Sequence, residues 1–225
     1  MKRELVKTSD GSHTLFLPEA NEHYHSHHGA ITESQHVFIK NGLLHYVELH
    51  AENPIRILEV GMGTGLNVFL SFLFSLEKQR PINFIALEPF PLEQELVQEL
   101  NYTTLLNATP YADCFNSIHT CACNSSVNLS ENFILTKKKE TLQETNLKEE
   151  INIVFFDAFA PRVQPELWTK EVFDQIYAIL KPNGILVTYC AKGEVKRNLK
   201  AAGFKVESLQ GPPGKREMVR AQKLV

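Results

Sequence analysis

The stretch IRILEVGMGTGLN, residues 55–67, decides the fold of this chain. Its first part, Ile55 to Val60, is a short apolar run typical of a buried strand. Glycines follow at positions 61, 63 and 65, and the segment LNVFLSFLFSLEK after them predicts a helix packed closely against a sheet. Glycine lets a backbone turn tightly and approach a ligand, and a helix start offers free N–H groups. The stretch therefore predicts a strand, a turn and a helix that form a nucleotide-sized cradle.

The same strand–helix alternation repeats through the rest of the chain. Continuous apolar strands alternating with helices are typical of a parallel, doubly wound α/β sheet. The segments FKVESL and MVRAQ predict an antiparallel hairpin at the edge of that sheet. Residues 107–131 are polar and lack a clear period, so they are predicted to form a loop. The remaining strands are predicted at 82–89, 132–138, 151–158 and 184–190, and the helices at 91–106, 165–180 and 193–203.

Residues 1–50 stand apart from this repeat. The segment TLFLPEA, residues 14–20, predicts a strand that follows a turn at residues 9–12. A helix is predicted to begin after Thr32, which is a suitable N-cap residue. We therefore divide the chain into an N-terminal extension, residues 1–50, that packs on the core, and a main domain, residues 51–225.

The composition is that of an ordinary globular protein. The chain has 225 residues, of which 43% are hydrophobic and 22% charged, enough for one substantial domain. No apolar run is long enough to span a membrane, and the N-terminus lacks the apolar core of a signal peptide. We therefore expect a cytoplasmic protein without a membrane partner. The four cysteines, at positions 114, 121, 123 and 190, fit free thiols better than a zinc site.

Charge and histidine are unevenly distributed along the chain. From Cys190 to Val225 there are nine Lys or Arg against three Glu, a net charge of +6, so the preceding residues carry −9. A basic C-terminal face is compatible with an RNA partner, although solvated charge on exposed helices explains the composition more simply. Histidines at positions 23, 25, 27 and 28 lack the spacing of a known metal site, and no metal is expected.

The glycine turn argues against dinucleotide binding. A dinucleotide fingerprint needs G-x-G-x-x-G, and Leu66 occupies the place of its third glycine. The pattern is instead E-x-G-x-G-x-G, from Glu59 to Gly65, which suits a ligand without pyrophosphate. The acid just before the glycines is well placed for a cationic amino group of that ligand. Glu88, at the end of the next strand, can accept the ribose hydroxyls of an adenosine, or else it is an ordinary surface glutamate.

An aspartate in the segment FFDAFAP, residues 155–161, is a candidate for chemistry. Asp157 follows four apolar residues, so we expect it at the carboxyl end of a strand, on the same sheet edge as Gly61 and Glu88. Apolar neighbours raise the proton affinity of a carboxylate, which can then orient an amine or remove its proton. A plain helix N-cap is the alternative.

The segment GPPGKREM, residues 211–218, predicts a stiff loop because two prolines lie between glycines. Lys215 and Arg216 follow the second glycine. They can meet phosphates or a carboxylate. A hairpin turn with solvated charges is the alternative.

Together these motifs resemble the class I S-adenosylmethionine-dependent methyltransferases. More narrowly, the chain is similar to the MnmC-type methyltransferases, which complete 5-methylaminomethyl-2-thiouridine at the tRNA wobble position, as half of a bifunctional enzyme or as stand-alone proteins. The resemblance implies a Rossmann-like, doubly wound, mainly parallel seven-stranded sheet with a small N-terminal extension. It covers nearly the whole chain and rests on EVGMGTGLN (59–67), FFDAFAPRVQPELW (155–168), YCAKGEVKRNLKAAGF (189–204), GPPGKREM (211–218) and YHSHHGAITESQHVFI (24–39).

The resemblance implies S-adenosyl-L-methionine as the cofactor. Glu88 would hold its ribose. The family often has Gly-Asp after the third strand, and the aspartate reaches towards the adenine. This chain instead has TKKKETLQE, residues 136–144, in which Glu140 would take the place of that aspartate. The methionine part would be held by Glu59, Gly61, Gly63, Gly65 and Asn67.

On the substrate side, the resemblance implies N-methylation of the 5-aminomethyl group of a wobble uridine. Asp157 would be the catalytic residue that binds the amine and helps to present its lone pair. The partner would be the anticodon loop of a tRNA, and a separate oxidoreductase would supply the aminomethyl substrate. Substrate contacts are predicted at Tyr24, Phe159, Pro161, Lys215 and Arg216.

Two other functions remain open at this point. One is a methyltransferase for a small amine with no RNA, whose turnover would be insensitive to salt, whereas RNA binding weakens steeply with salt. The other is a non-catalytic nucleotide-binding Rossmann module. Leu66 argues against the second function, and binding of S-adenosylmethionine rather than NAD would separate the two.

Overall fold

The computed structural model describes residues 2–147 and 150–224. An eight-stranded sheet forms its centre, and a three-stranded antiparallel sheet lies near the N-terminus. The small sheet consists of β1 (Glu4–Lys7), β2 (His13–Leu17) and β3 (Glu22–His23). The strands of the large sheet are β4 (Ile55–Val60), β5 (Ile82–Leu87), β6 (Ser125–Ser130), β7 (Phe133–Lys138), β8 (Ile151–Phe156), β9 (Leu180–Thr188), β10 (Lys205–Gln210) and β11 (Glu217–Gln222).

The large sheet is mainly parallel, with antiparallel strands at both edges. Its strand order is β10-β11-β9-β8-β4-β5-β7-β6. The five strands from β9 to β7 run parallel to one another. Strands β10 and β11 form the predicted antiparallel hairpin, and β6 pairs antiparallel with β7 at the other edge. The predicted fold is confirmed, and β6 adds one strand to the seven expected.

Helices cover both faces of the large sheet, as a doubly wound fold requires. Successive side chains of a strand point to opposite faces, so Ile57 packs with α3 on one face and Leu58 packs with α7 and α8 on the other. None of the helices in the described residues has the length and apolarity to cross a membrane. The helices are α1 (Ala30–Ser34), which continues through a π-helical segment (Gln35–Leu44) into α2 (His45–Leu49), then α3 (Leu66–Lys78), α4 (Gln94–Glu99), α5 (Tyr102–Leu105), α6 (Ala112–Thr120), α7 (Lys170–Ile179) and α8 (Gly193–Ala201), with short 3₁₀ turns at Thr109–Tyr111 and Pro165–Leu167.

The first helix begins at Ala30, so the predicted N-cap at Thr32 is wrong. The backbone N–H and the hydroxyl of Thr32 donate to the carboxylate of Asp10, at 2.9 and 2.8 Å. The N–H of Ala30 donates to the hydroxyl of Ser12 at 3.1 Å. Asp10 and Ser12 belong to the turn between β1 and β2. The free N–H groups of this helix are therefore satisfied by a distant part of the chain, which a local cap signal does not reveal.

The helix predicted at 91–106 is divided into α4 and α5. The break lies beside Asn101, whose side chain accepts the N–H of His13 at 2.9 Å and donates to the carbonyl of Gly11 at 3.0 Å. The hydroxyl of Tyr102 donates to the carbonyl of His13 at 2.8 Å. These side-chain contacts tie the break to the N-terminal hairpin, and Leu100, between the two helices, has an extended backbone. One amphipathic pattern therefore forms two helices.

Residues 107–131, predicted as a loop, contain α6 and β6. Helix α6 buries Phe115 and Ile118 in the core that also holds α3. The ammonium of Lys137 in β7, which is 2% exposed, donates to the carbonyls of Ile118 and His119 at the end of α6. Lys137, the donor at the end of α6, lies 18 to 19 residues further along the chain than the carbonyls that it bonds. The polar sequence of 107–131 does not reveal this distant partner, and the loop prediction is wrong for α6 and β6.

Lys137→Met is expected to lower the free energy of unfolding by about 2–4 kcal/mol, because two carbonyl oxygens at the end of α6 lose their donor. Chemical denaturation measures this change. The matched control is Lys139→Met, the same substitution at an exposed lysine, with an expected change of less than about 0.5 kcal/mol. Equal unfolding midpoints for the two variants would contradict the stabilising role of the buried ammonium.

Candidate active site

A cavity of about 1120 Å³ opens at the carboxyl ends of β4, β5 and β8. These strands are parallel, and β4 lies between the other two, so the residues that follow them meet at one edge of the sheet. Gly61, Glu88 and Asp157 line the cavity together, as the sequence predicts. Open α/β sheets bind ligands at this edge. The cavity is therefore the candidate active site.

Glycines 61 and 63 make the turn that forms one wall of the cavity. Gly61 has φ +89°, and a Cβ there would lie 2.7 Å from the carbonyl oxygen of Asp157. Gly63 has φ +51°, and a Cβ there would lie 2.9 Å from the ring of Tyr24. Both positions require glycine, because a side chain would displace the neighbouring wall. The backbone of the turn is thus left open to a ligand.

Gly65 does not line the cavity. A Cβ at this position would lie 2.8 Å from Nε2 of His119 on α6. This ring nitrogen is 3.1 Å from the carbonyl of Thr64, and burial lowers the pKa of His119 to about 4, so the neutral ring donates to Thr64. Gly65 therefore allows α6 to support the glycine turn from behind.

Glu88 lies after β5 and is 8% exposed. One carboxylate oxygen accepts the N–H of Gly63 at 2.8 Å, and the other accepts the N–H of Phe90 at 2.8 Å. Burial raises the pKa of Glu88. Each carboxylate oxygen has lone pairs beyond the one used here, so the group can accept further hydrogen bonds from the cavity.

Glu59 and Asn67 lie behind the cavity wall, where the first is fully buried and the second 2% exposed. The amide nitrogen of Asn67 donates to Glu59 at 2.8 Å and to Asp157 at 2.9 Å. Burial, and next the Asp157 carboxylate, raise the pKa of Glu59 well above its ordinary value. Neither residue is among those that line the cavity, and the amide of Asn67 connects the carboxylate of Glu59 to that of Asp157.

Asp157 is the carboxylate at the centre of this arrangement. Burial, and next the nearby carboxylate of Glu33, raise the pKa of Asp157 to about 8. The hydrogen bond from Asn67 and the ammonium of Lys215 act in the opposite direction. A carboxyl group with this proton affinity exchanges a proton readily near neutral pH, as a general base requires.

Lys215 extends into the cavity from the loop between β10 and β11. Its ammonium lies 2.5 Å from the carboxylate of Glu33 and 3.8 Å from the centre of the Tyr189 ring. The Tyr189 hydroxyl donates to the carbonyl of Ala158 at 2.8 Å. Glu33 and Tyr189 also line the cavity, although the sequence did not single them out. Tyr189 directly follows β9, so its position at a strand end could have revealed it, whereas Glu33 lies on α1 and carries no such signal.

The N-terminal hairpin covers the cavity from one side. Tyr24 packs edge-on against Phe159, with ring centres 5.0 Å apart, and both line the cavity. The hydroxyl of Tyr24 accepts a hydrogen bond from Arg3 at 3.0 Å. Arg162 pairs with Glu22 at 3.0 Å, and both residues line the cavity. The first fifty residues therefore contribute part of the cavity wall.

Besides Gly65, Glu59 and Asn67, three more predicted site residues have positions or partners that differ from those expected. Pro161 lines a separate shallow pocket of about 330 Å³, and Arg216 is exposed outside the cavity. Glu140 does line the cavity, and it pairs with Lys138 at 3.1 Å. The nearby side chain of Thr145, followed by the ammonium of Lys138, lowers the pKa of Glu140.

The histidines near the N-terminus do not come together in one cluster. His25 is buried and bonded to the hydroxyl of Thr14 at 3.0 Å, and burial lowers its pKa to about 4. The rings of His27 and His28 lie 4.0 Å apart, and a Cβ at Gly214 would overlap His28. Within residues 2–147 and 150–224, no group of three or more His, Cys, Asp or Glu is placed to hold a metal ion.

The strand order, the glycine turn and the acid after the next strand define a Rossmann-like methyltransferase fold. A family model described as S-adenosyl-L-methionine-dependent methyltransferase matches residues 105–224, more than half of the chain. The chain belongs to this family.

Curated relatives and solved structures carry more specific names. The chain is 30% identical to the "tRNA 5-methylaminomethyl-2-thiouridine biosynthesis bifunctional protein MnmC" of Idiomarina loihiensis, over 87% of this chain and 34% of that protein. It is 27% identical to the protein of the same name from Aeromonas salmonicida, over 89% of this chain and 32% of that protein. The chain thus spans about a third of the length of these relatives.

Among solved structures, MNMC2 from Aquifex aeolicus superposes with a TM-score of 0.73 at 27% identity, over 98% of this chain and 70% of that chain. The spermidine synthase of Thermotoga maritima superposes with a TM-score of 0.54 at 12% identity, over 99% of this chain and 72% of that chain, which is a likeness of fold alone.

Proposed function

We propose that this protein transfers a methyl group from S-adenosyl-L-methionine to the 5-aminomethyl group of uridine or 2-thiouridine at the wobble position of tRNA. The names of the relatives from Idiomarina, Aeromonas and Aquifex support this substrate. Because tRNA is the proposed partner, we also propose a cytoplasmic location. We also propose an oxidoreductase as the source of the aminomethyl substrate, because the relatives that the chain matches are named as bifunctional proteins.

The Asp157 carboxyl in the cavity is the observation that carries the proposal. An alkylammonium has no lone pair and cannot accept a methyl group. A carboxylate whose pKa is raised to about 8 can take a proton from the ammonium and leave a neutral amine. The nitrogen then has a lone pair for the methyl group, and the methylated amine carries the positive charge. Asn67 holds the carboxylate in place from behind.

The residues around the glycine turn fit the cofactor. S-adenosyl-L-methionine supplies an electrophilic methyl group when it is bound. Gly61 and Gly63 keep the backbone open where a Cβ would meet the opposite wall. We assign Glu88 to the ribose hydroxyls and Glu140 to the adenine end, since both line the cavity. The methionine contacts expected of Glu59, Gly65 and Asn67 are indirect in this proposal, because these residues support the turn and Asp157 from behind.

The substrate side of the cavity is lined by Tyr24 and Phe159. We propose that these rings hold the uridine, because aromatic side chains stack on unpaired RNA bases. Pro161 and Arg216 lie outside the cavity, so we assign them to the surrounding nucleotides. Residues 1–50 contribute Tyr24, and we propose that this extension is part of the catalytic unit with the main domain 51–225.

The test is nucleoside mass spectrometry of tRNA carrying 5-aminomethyl-2-thiouridine after incubation with the protein and S-adenosyl-L-methionine. We expect a mass gain of one methyl group at the wobble nucleoside, with turnover that falls steeply as salt rises. Turnover of a small amine without salt dependence would support the small-amine alternative. Binding of NAD in place of S-adenosyl-L-methionine, without any methylated product, would support the non-catalytic module.

Glu88→Gln is expected to weaken binding of S-adenosyl-L-methionine by about 10-fold or more, because a neutral amide is a weaker acceptor than a carboxylate for the ribose hydroxyls. Isothermal titration calorimetry measures the dissociation constant. Glu95→Gln, at an exposed position on α4, is the matched control and should bind like the unsubstituted protein. An unchanged dissociation constant for Glu88→Gln would contradict the ribose assignment.

A further inference from the structure

Glu33 is a buried acid that the catalytic step described above does not use. It lies on α1, in the N-terminal extension, and is 5% exposed. One of its carboxylate oxygens accepts the N–H of Ser26 at 2.8 Å, and the other lies 2.5 Å from the ammonium of Lys215. A charged group that is nearly buried must have such partners, or its desolvation would be too costly. The ion pair is therefore a built feature of the cavity.

Lys215 is held on two sides in this arrangement. Besides Glu33, its ammonium has the ring of Tyr189 at 3.8 Å, a distance that allows a cation–π contact. The Tyr189 hydroxyl is bonded to the carbonyl of Ala158, the residue after Asp157. Among the described residues, the ion pair of Lys215 within 4 Å is with Glu33 and not with Asp157, although all three line one cavity.

The charges of Glu33, Asp157 and Lys215 would be balanced by one more cation. Glu33 and Asp157 in their ionised forms contribute two negative charges, and Lys215 contributes one positive charge. With Lys215 paired to Glu33, the carboxylate of Asp157 remains for an ammonium that enters the cavity. The proposed substrate has such a group.

We propose that Glu33 is a positioning residue that holds the ammonium of Lys215 away from Asp157, so that Asp157 is free to accept a proton from the substrate amine. This inference rests on the proposed function. Glu33 acts through Lys215 and does not touch the substrate. The N-terminal extension thereby controls the charge of the catalytic carboxylate.

Loss of Glu33 should release Lys215 towards the nearest remaining anion. A lysine side chain is long and flexible, and its ammonium would then compete with the substrate for Asp157. A cation beside a carboxylate also favours the ionised form and weakens it as a base. The groups that face Asp157 are Glu33 on α1, Lys215 in the β10–β11 loop, Tyr189 after β9, Glu59 on β4 and the amide of Asn67 on α3.

The test compares kcat/KM across pH for Glu33→Gln, Lys215→Met and the double variant, on tRNA carrying 5-aminomethyl-2-thiouridine. Glu33→Gln is expected to lose about 10-fold or more in kcat/KM, and the acid limb of its pH profile should move to lower pH, because both the loss of Glu33 and the approach of Lys215 lower the pKa of Asp157. Adding Lys215→Met should recover at least about threefold of the loss, since the competing ammonium is gone.

The matched control for the recovery is the double variant Glu33→Gln with Lys192→Met, which removes a different lysine that lines the cavity. It should remain as impaired as Glu33→Gln alone. A purely structural ion pair predicts equal losses for the single variants and no recovery in the double variant. That outcome, or full activity of Glu33→Gln, would overturn the inference.

Failure of the inference can be told apart from failure of the proposed function. If the unsubstituted protein does not methylate the aminomethyl nucleoside, the proposed function is wrong and the role of Glu33 falls with it. If the unsubstituted protein is active and the variants behave as a structural pair, the inference alone is wrong. Thermal melting checks folding. If Glu33→Gln does not fold, Glu33→Asp carries the same test, since its shorter side chain withdraws the carboxylate from Lys215 and should give a smaller shift of the same sign.

Discussion

Asp157→Asn is expected to lower kcat for methylation of the aminomethyl nucleoside by about 10²–10⁴-fold, the range that a positioned general base contributes. An asparagine has nearly the same shape, and its amide oxygen can still accept the hydrogen bond that Asn67 donates at 2.9 Å. It cannot take a proton from the substrate ammonium. Single-turnover assays with mass spectrometry of the nucleoside measure the loss.

The matched control is Asp174→Asn, the same substitution at an exposed aspartate on α7 that pairs with Lys170. It should leave kcat unchanged, because it is remote from the cavity. Retention of full methylation by Asp157→Asn would show that the substrate amine loses its proton elsewhere, and the catalytic assignment would be wrong.

The stability of Asp157→Asn separates a chemical effect from a folding defect. The pKa of Asp157 is about 8 in the folded protein and near 3.8 without the fold. Between these values the folded state binds a proton that the unfolded chain has released, so this group's contribution to stability is complete below pH 4 and is lost as the pH rises through 8. The asparagine variant should therefore gain stability relative to the unsubstituted protein as the pH is raised, although its activity is far lower.

Gly61→Ala is expected to lower kcat/KM by about 100-fold or more, the loss that follows a misplacement of about 1 Å in an active site. The new Cβ would lie 2.7 Å from the carbonyl oxygen of Asp157, and the backbone has φ +89°. The overlap involves backbone of the catalytic residue itself, so relief of the clash must move Asp157 or the turn. The strain should also lower the free energy of unfolding by about 1–3 kcal/mol.

Kinetics of methylation and chemical denaturation measure the two effects of Gly61→Ala. Gly193→Ala is the matched control, because Gly193 begins α8 and its nearest neighbour, at 3.3 Å, is the far end of the flexible Arg197 side chain. It should be as stable as the unsubstituted protein or more stable. Normal kinetics in Gly61→Ala would mean that the turn tolerates a side chain and does not define the cavity wall.

Much of the fold follows from local patterns along the chain. The buried strands β4, β5 and β8 are six residues long and mostly apolar, and the glycine turn and α3 follow β4 directly along the chain. The hydrophobic pattern within such a short segment is enough to predict its secondary structure. The failures occur where a partner is distant in the sequence. Asn101, at the break between α4 and α5, bonds to the N-terminal hairpin, and the ammonium of Lys137 bonds to the end of α6, whose polar sequence predicted a loop.

The sequence by itself determined that Gly61, Glu88 and Asp157 share one edge, because parallel strands end on the same side of a sheet. Only the tertiary structure decided what surrounds Asp157. Glu33 and Lys215 are separated by 182 positions and become an ion pair because α1 and the β10–β11 loop pack over the same cavity. The sequence stretch that specifies the strand, turn and helix therefore predicts where a ligand lies, whereas the charge that the ligand meets depends on packing between segments that no local pattern connects.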